Sequence, residues 1–248
     1  MRTANPTLTD NTFSNLEYAS ATNVMTVQGV VFKTVILLLL TMLTAGWSWL
    51  QLAKGGAFAA SASTWLMVGA IGGFALAIVT TFKPAWSAIT APLYAIVEGL
   101  FIGILSAIFE QTYNGIVMQA VLLTFGTLTA MLAAYQTGLI RATETFKSCI
   151  IAATGGIAIA YLLAFVLSFF NIQIPLIFGN GWVGILFSVA VIIIAALNFI
   201  LDFDFIEQGA QKGAPKYMEW YGGFALMVTL IWLYIEFLRL LSKLRSRE

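Results

Sequence analysis

The residues able to do chemistry in this chain are its carboxylates. With no histidine and a single cysteine, Cys149, imidazole acid-base work, a disulfide framework and the usual zinc ligand sets are excluded within one chain. Three acids arrive together in Asn198-Phe199-Ile200-Leu201-Asp202-Phe203-Asp204-Phe205-Ile206-Glu207, at the end of Trp182 to Leu201, a run without a charged residue. Asn198 and Asp202 are four apart and share a helical face, with Glu207 roughly a turn and a half further on. Asp204 is rotated about 200° from Asp202 at helical pitch, so in a continuing helix the two face different neighbours. Asp202 therefore reads as a functional acid, whereas Asp204 and Glu207 read first as a solvated helix end.

Two further acids lie inside apolar runs. Glu98 sits near the middle of Ile89 to Phe109, where a buried carboxyl can take up a proton near neutral pH or stay neutral in a hydrogen bond across a helix interface. Glu236 has Arg239 three residues on and Lys243 seven on, and local ion pairing is the first reading for it. It lies roughly 20 Å by helix rise from the end where Asp202 sits, too far to be its partner. No serine, cysteine or lysine has a recognisable base beside it, and no phosphate loop or nucleotide fingerprint appears. An enzyme is not expected, nor a cofactor, and no metal ligand set is assigned.

The elements that must hold these acids are membrane helices. Of 248 residues 60% are hydrophobic and 9% charged, with a mean hydropathy of +0.92, against about 25% charged residues in soluble domains. A net charge of +1 and the lack of a basic stripe with interleaved aromatics give no case for a nucleic-acid partner, and none is expected. Apolar runs fall at Val31 to Leu50, Thr64 to Phe82, Ile89 to Phe109, Ile116 to Tyr135, Cys149 to Phe170, Trp182 to Leu201 and Gly222 to Leu241. Each has about the 20 residues needed to cross the bilayer. The fold class is all-α, a polytopic membrane protein with seven transmembrane helices in one domain, 29–248, after a polar arm, 1–28.

The arm has no secretory cleavage pattern, so the first span is expected to act as its own insertion signal. Asn171 to Gly181, rich in turn residues around an apolar middle, reads as a loop that dips into the interface or as an ordinary loop. Gly69 with Gly73, and Gly99 with Gly103, form small faces for close helix packing. Lys33 is an interfacial anchor. Lys83, Arg141, Lys147, Lys212 and Lys216 fall in loops on the side of the N-terminus and only Lys54 on the other, which places the N-terminus in the cytoplasm. The same rule disfavours seven crossings, since they carry the basic tail of Lys243, Arg245 and Arg247 to the far side, and the side of the C-terminus stays open.

Three separated stretches resemble bacterial members of the Bax inhibitor-1 family. They are Leu197 to Glu207 with Gly213-Ala214-Pro215-Lys216-Tyr217-Met218-Glu219-Trp220-Tyr221, Ala91-Pro92-Leu93-Tyr94-Ala95-Ile96-Val97-Glu98-Gly99, and Met25-Thr26-Val27-Gln28-Gly29-Val30-Val31. The resemblance implies six helices around a central seventh, a bacterial inner membrane, and a pH-sensitive calcium leak latched by two aspartates on the sixth and seventh helices. The sixth-helix aspartate matches Asp202 in its Leu-Asp-Phe setting. The seventh-helix one has no match, since Met227 to Ile231 contains no acid, and a basic residue that pairs with the latch in some members has no counterpart in the second span. Asp202 is then expected to pair with Glu98 or with a polar group such as Thr229.

The expected function is a pH-sensitive cation leak gated by buried carboxylates, with calcium the ion because hard oxygen ligands are all the chain offers. Asp202, Glu98, Asn198 and Asp204 would carry it, with Glu207, Thr229 and Glu236 behind them. The alternatives are a non-transporting regulator that binds another membrane protein, such as a protease or stress factor, through the arm, and a proton-coupled calcium exchanger.

Overall fold

In hydrocarbon a backbone has no water to bond, so each apolar run satisfies its own amides by becoming a helix. The structure, a computed structural model, describes residues 24–168, Phe170 and 179–247. Its helices are α1 (Val27–Lys54), α2 (Gly56–Ala60), α3 (Ala62–Phe82), α4 (Ser87–Thr112), α5 (Ile116–Gln136), α6 (Glu144–Ser168), α7 (Trp182–Gln211) and α8 (Met218–Arg245). All but the short α2 are long and apolar enough to cross a membrane, which makes an all-α polytopic fold with seven candidate spans. The helices run past the apolar stretches at most ends, because helical hydrogen bonding does not stop where the hydrocarbon does. Thus α7 continues through Asp202 and Asp204 to Gln211, and Gln28, counted above with the arm, already lies in α1. Residues 1–23 of the arm and 171–178 of the loop expected to dip lie outside the described residues.

The chain packs as two units, and the division falls inside α7 between Asp204 and Phe205 and inside α8 between Met227 and Val228. Within the first unit, 24–114 with 205–227, α4 packs on both α1 and α3. Glycines allow the close approach: a Cβ at Gly99 or Gly103 would overlap the backbone carbonyls of Thr41 or Ala45 in α1. On the α3 side, a Cβ at Gly73 would overlap the Glu98 carboxyl. Small residues of this kind hold membrane helices together through contact area and through bonds such as that from Thr41 Oγ1 to the Ala95 carbonyl, 3.2 Å.

The start of α1 is fastened to the loop before α8. Met25 N donates to the Ala214 carbonyl at 2.7 Å, Thr26 Oγ1 caps Gly29 N at 2.9 Å, and Glu219 accepts from Thr26 N at 3.2 Å and Thr26 Oγ1 at 3.0 Å. Ser87 Oγ ties the entry of α4 to the Tyr217 carbonyl at 2.9 Å. Lys33 rests over the Trp220 ring, 4.6 Å from its centre, the placing expected of an interfacial cation beside an aromatic.

The second unit, 115–204 with 228–247, joins α5, α6, most of α7 and the end of α8. Ile150 of α6 and Leu201 of α7 form its buried apolar centre, flanked by Phe146, Ile151, Ile194 and Leu197. Arg245 ties α8 to Gln119 of α5 at 3.0 Å. Among the seven spans α8 has the largest share of its apolar window buried, 67%, and α6 the smallest, 11%, so α6 turns most of its surface to lipid and only a narrow stripe inward.

Candidate functional site

Because α7 stays helical beyond Leu201, Asp202 and Asp204 leave it in different directions, and each finds its own helix. Asp202 is fully buried and accepts a hydrogen bond from Thr229 Oγ1 of α8 at 2.6 Å. Asp204 pairs with Lys147 of α6, Oδ2 to Nζ 2.9 Å. The same ammonium reaches Glu144 at 3.1 Å. Asp204 is therefore the acid of an ion pair rather than a solvated helix end: α6 passes close enough to bring Lys147, read above as a loop residue, onto it. One turn before Asp202, Asn198 Nδ2 donates to Thr154 Oγ1 of α6 at 2.9 Å and to the Ile194 carbonyl at 2.8 Å.

These contacts staple the end of α7 to two neighbours, to α6 through Asn198 and Asp204 and to α8 through Asp202. An O–H donated to a carboxylate in a dry interior is among the stronger neutral-to-charged bonds. Thr229, one of the partners expected for Asp202, is bonded to it.

Glu236, nearer the far end of α8, is 1% exposed. Its Oε1 accepts from Tyr161 OH of α6 at 2.8 Å and pairs with Arg239 at 2.9 Å, the local ion pair that the i,i+3 spacing predicts. Arg239 also lies over the Tyr161 ring, 4.8 Å from its centre. One heptad on, Lys243 Nζ is buried and donates to the Gly184 carbonyl at 3.0 Å and to Ser188 Oγ at 2.9 Å in the first turns of α7.

Glu98 belongs to the first unit. It is 8% exposed, and its carboxyl lies against Gly73 of α3, in a notch a side chain there would fill. No hydrogen bond or ion pair to it is seen among the described residues, so the interhelix bond considered for it above is absent from them. Glu207, also in the first unit, accepts from Gln211 Nε2 at 3.2 Å on the helix surface.

Sequence reasoning missed the inward turn of Lys147, Tyr161 and Lys243 and the part of Ser188. The signal was present: Lys147, Thr154 and Tyr161 recur at intervals of seven in a helix otherwise given to lipid. Among the described residues, no group of three or more acids, cysteines or histidines is placed to hold a metal ion. What the arrangement offers is single buried carboxylates, Asp202 and Glu236 each held by donors from a neighbouring helix and Glu98 lying against Gly73, which suits proton binding or weak, transient contact with a hard cation.

Neither a curated protein nor a solved structure matches the chain. A family model described as Bax inhibitor 1 like matches residues 5–246, nearly the full length, and the chain belongs to that family.

Proposed function

We propose that the protein is a pH-modulated cation leak of the Bax inhibitor-1 type in a bacterial inner membrane, with calcium as the ion and the N-terminus in the cytoplasm. The observation that carries the reading is the bond from Thr229 to Asp202, wholly inside the protein on an apolar span. The resemblance implies a second aspartate on the seventh helix, which this chain lacks; here the hydroxyl of Thr229 bonds Asp202. A hydroxyl donates to the carboxylate without needing a shared proton, so the closed contact is held while Asp202 is charged. Protonation exchanges a charge-assisted bond for a neutral one. The difference is about 1 kcal/mol, which biases a closed-open equilibrium about fivefold toward open as pH falls. The switch is thus local and electrostatic, acting on the fit of α7 against α8.

Calcium flux into proteoliposomes over a pH series tests the reading. It expects flux above that of empty vesicles, rising as pH falls, and a flat profile for Asp202→Asn. Flux equal to empty vesicles at every pH rejects it. If calcium entry drives protons the other way, the protein is a proton-coupled exchanger using the same acid.

A second reading is a regulator that binds another membrane protein through its arm. The fastening of Met25 and Thr26 to Ala214 and Glu219 favours it, because a force on the arm would reach the start of α8 directly. Deleting the arm up to Val24 should then abolish partner capture and leave flux intact.

A further inference from the structure

Three helices of the second unit turn polar side chains toward one another at regular depth. On α6 these are Lys147, Thr154 and Tyr161, and on α8 Thr229, Glu236 and Lys243, each set at intervals of seven. A step of seven returns a helix to nearly the same face, drifting only about 20°. On α7 the facing stripe runs Ser188, Val191, Ala195, Asn198, Asp202, and none of the five exceeds 2% exposure.

The stripes meet level by level. Lys147 meets Asp204, and Thr154 meets Asn198. Asp202 meets Thr229, Tyr161 meets Glu236, and Ser188 meets Lys243. From Thr229 to Lys243 the helix rise is about 21 Å, most of a hydrocarbon core of about 30 Å. Thr154 with Asn198 and the hydroxyls of Ser188 and Thr229 would serve packing alone, whereas the ionisable members of the seam, Lys147, Asp202, Asp204, Glu236 and Lys243, are rare on membrane spans. Ionisable groups at four of the five levels are costly in a membrane and mark a path.

Glu236 supplies an independent pointer. Its Oε2 is buried and has no hydrogen-bond partner among the described residues, while Oε1 takes both Tyr161 and Arg239. A carboxylate oxygen left without a donor in a dry interior is an acceptor waiting for one. Arg239, whose side chain is 27% exposed, supplies the resident positive charge on the other oxygen.

We propose that the seam between α6, α7 and α8 of the second unit is the route of the cation, and that Glu236 with Tyr161 forms a second station on it, Oε2 being the ligand for a hard cation in transit. This rests on the leak reading and adds where the ion passes. The route runs from the Lys147–Asp204 pair past Asp202 to Glu236.

The test uses intact protein in liposomes with Cys149 replaced by serine. Ala195→Cys places a thiol in the seam, and Ile193→Cys, at a position 52% exposed on the same helix, places one outside it. A membrane-impermeant cationic methanethiosulfonate reagent applied during calcium flux should block Ala195→Cys and spare Ile193→Cys. Val191→Cys, on the same stripe, repeats the reading if Ala195→Cys does not fold. Tyr161→Phe and Glu236→Gln should each lower flux about fivefold, the effect of one lost hydrogen bond, in protein that elutes from size exclusion as the intact chain does. Normal flux with neither seam cysteine blocked overturns the route while leaving the leak reading standing. Block of a seam cysteine with no effect of Tyr161→Phe or Glu236→Gln keeps the route and removes the second station. No flux from the intact protein fails the leak reading itself, and the route with it.

Discussion

Replacing Thr229 by valine keeps the shape of the side chain and removes only the hydroxyl that donates to Asp202 Oδ2 at 2.6 Å. Thr229 is 3% exposed and Asp202 fully buried, so water is a poor substitute for the lost donor. A hydrogen bond to a charged group contributes about 1.5 to 3 kcal/mol. If that bond holds α7 closed on α8, its loss should raise the open population by roughly 10- to 100-fold, since about 1.4 kcal/mol is a factor of ten. Calcium flux in proteoliposomes reads this directly. Thr229→Val should leak strongly at neutral pH, and lowering the pH should add little, because protonating Asp202 no longer weakens a bond. Thr229→Ser, which keeps the donor, should stay near the intact protein. A Thr229→Val protein with the flux and pH profile of the intact one would refute the reasoning, and would leave the bond a packing feature.

Other sites give independent checks. Gly73→Ala should destabilise the protein by about 1 to 3 kcal/mol through overpacking on the Glu98 carboxyl, and Glu98→Ala should relieve it in the double variant, seen as recovery of thermal stability in detergent. Gly103→Ala, whose Cβ meets the Ala45 backbone, should lower the melting temperature far more than Gly126→Ala, where nothing lies within 4 Å; equal losses would contradict the close α1–α4 approach. Lys147→Met should cost about 2 kcal/mol by removing the ammonium paired with Asp204, less than for a fully buried pair because the Asp204 side chain is 20% exposed. Glu219→Ala should release Thr26 and speed amide hydrogen exchange in the first turn of α1, while exchange in α5 stays the same.

The spans were legible because a membrane leaves a helix little choice: an uncharged run of about 20 residues has one stable form there. Their ends were less so. The 3₁₀ turn at Pro84–Trp86 and the short α2, whose Phe58 stacks on Trp65 with ring centres 5.6 Å apart, depend on tertiary contacts that composition does not carry. At the site, the angular separation of Asp202 and Asp204 followed from helical pitch alone. Which helix each would meet did not, since that depends on how α6 and α8 pass α7. Thr229 could be offered as a partner for Asp202 only because the resemblance pointed to its stretch of the seventh span. Lys147 was hidden for a physical reason: a cation near the end of an apolar run usually snorkels to water, and this one turns inward because Asp204 is there to receive it.

The measurement that bears most directly on the account is calcium flux into proteoliposomes across a pH series for the intact protein, Asp202→Asn and Glu98→Gln side by side. The leak should grow as pH falls in the intact protein, stay flat for Asp202→Asn, and keep its slope for Glu98→Gln, whose carboxyl makes no hydrogen bond among the described residues. An unchanged slope in Asp202→Asn, or a slope lost only in Glu98→Gln, would contradict it.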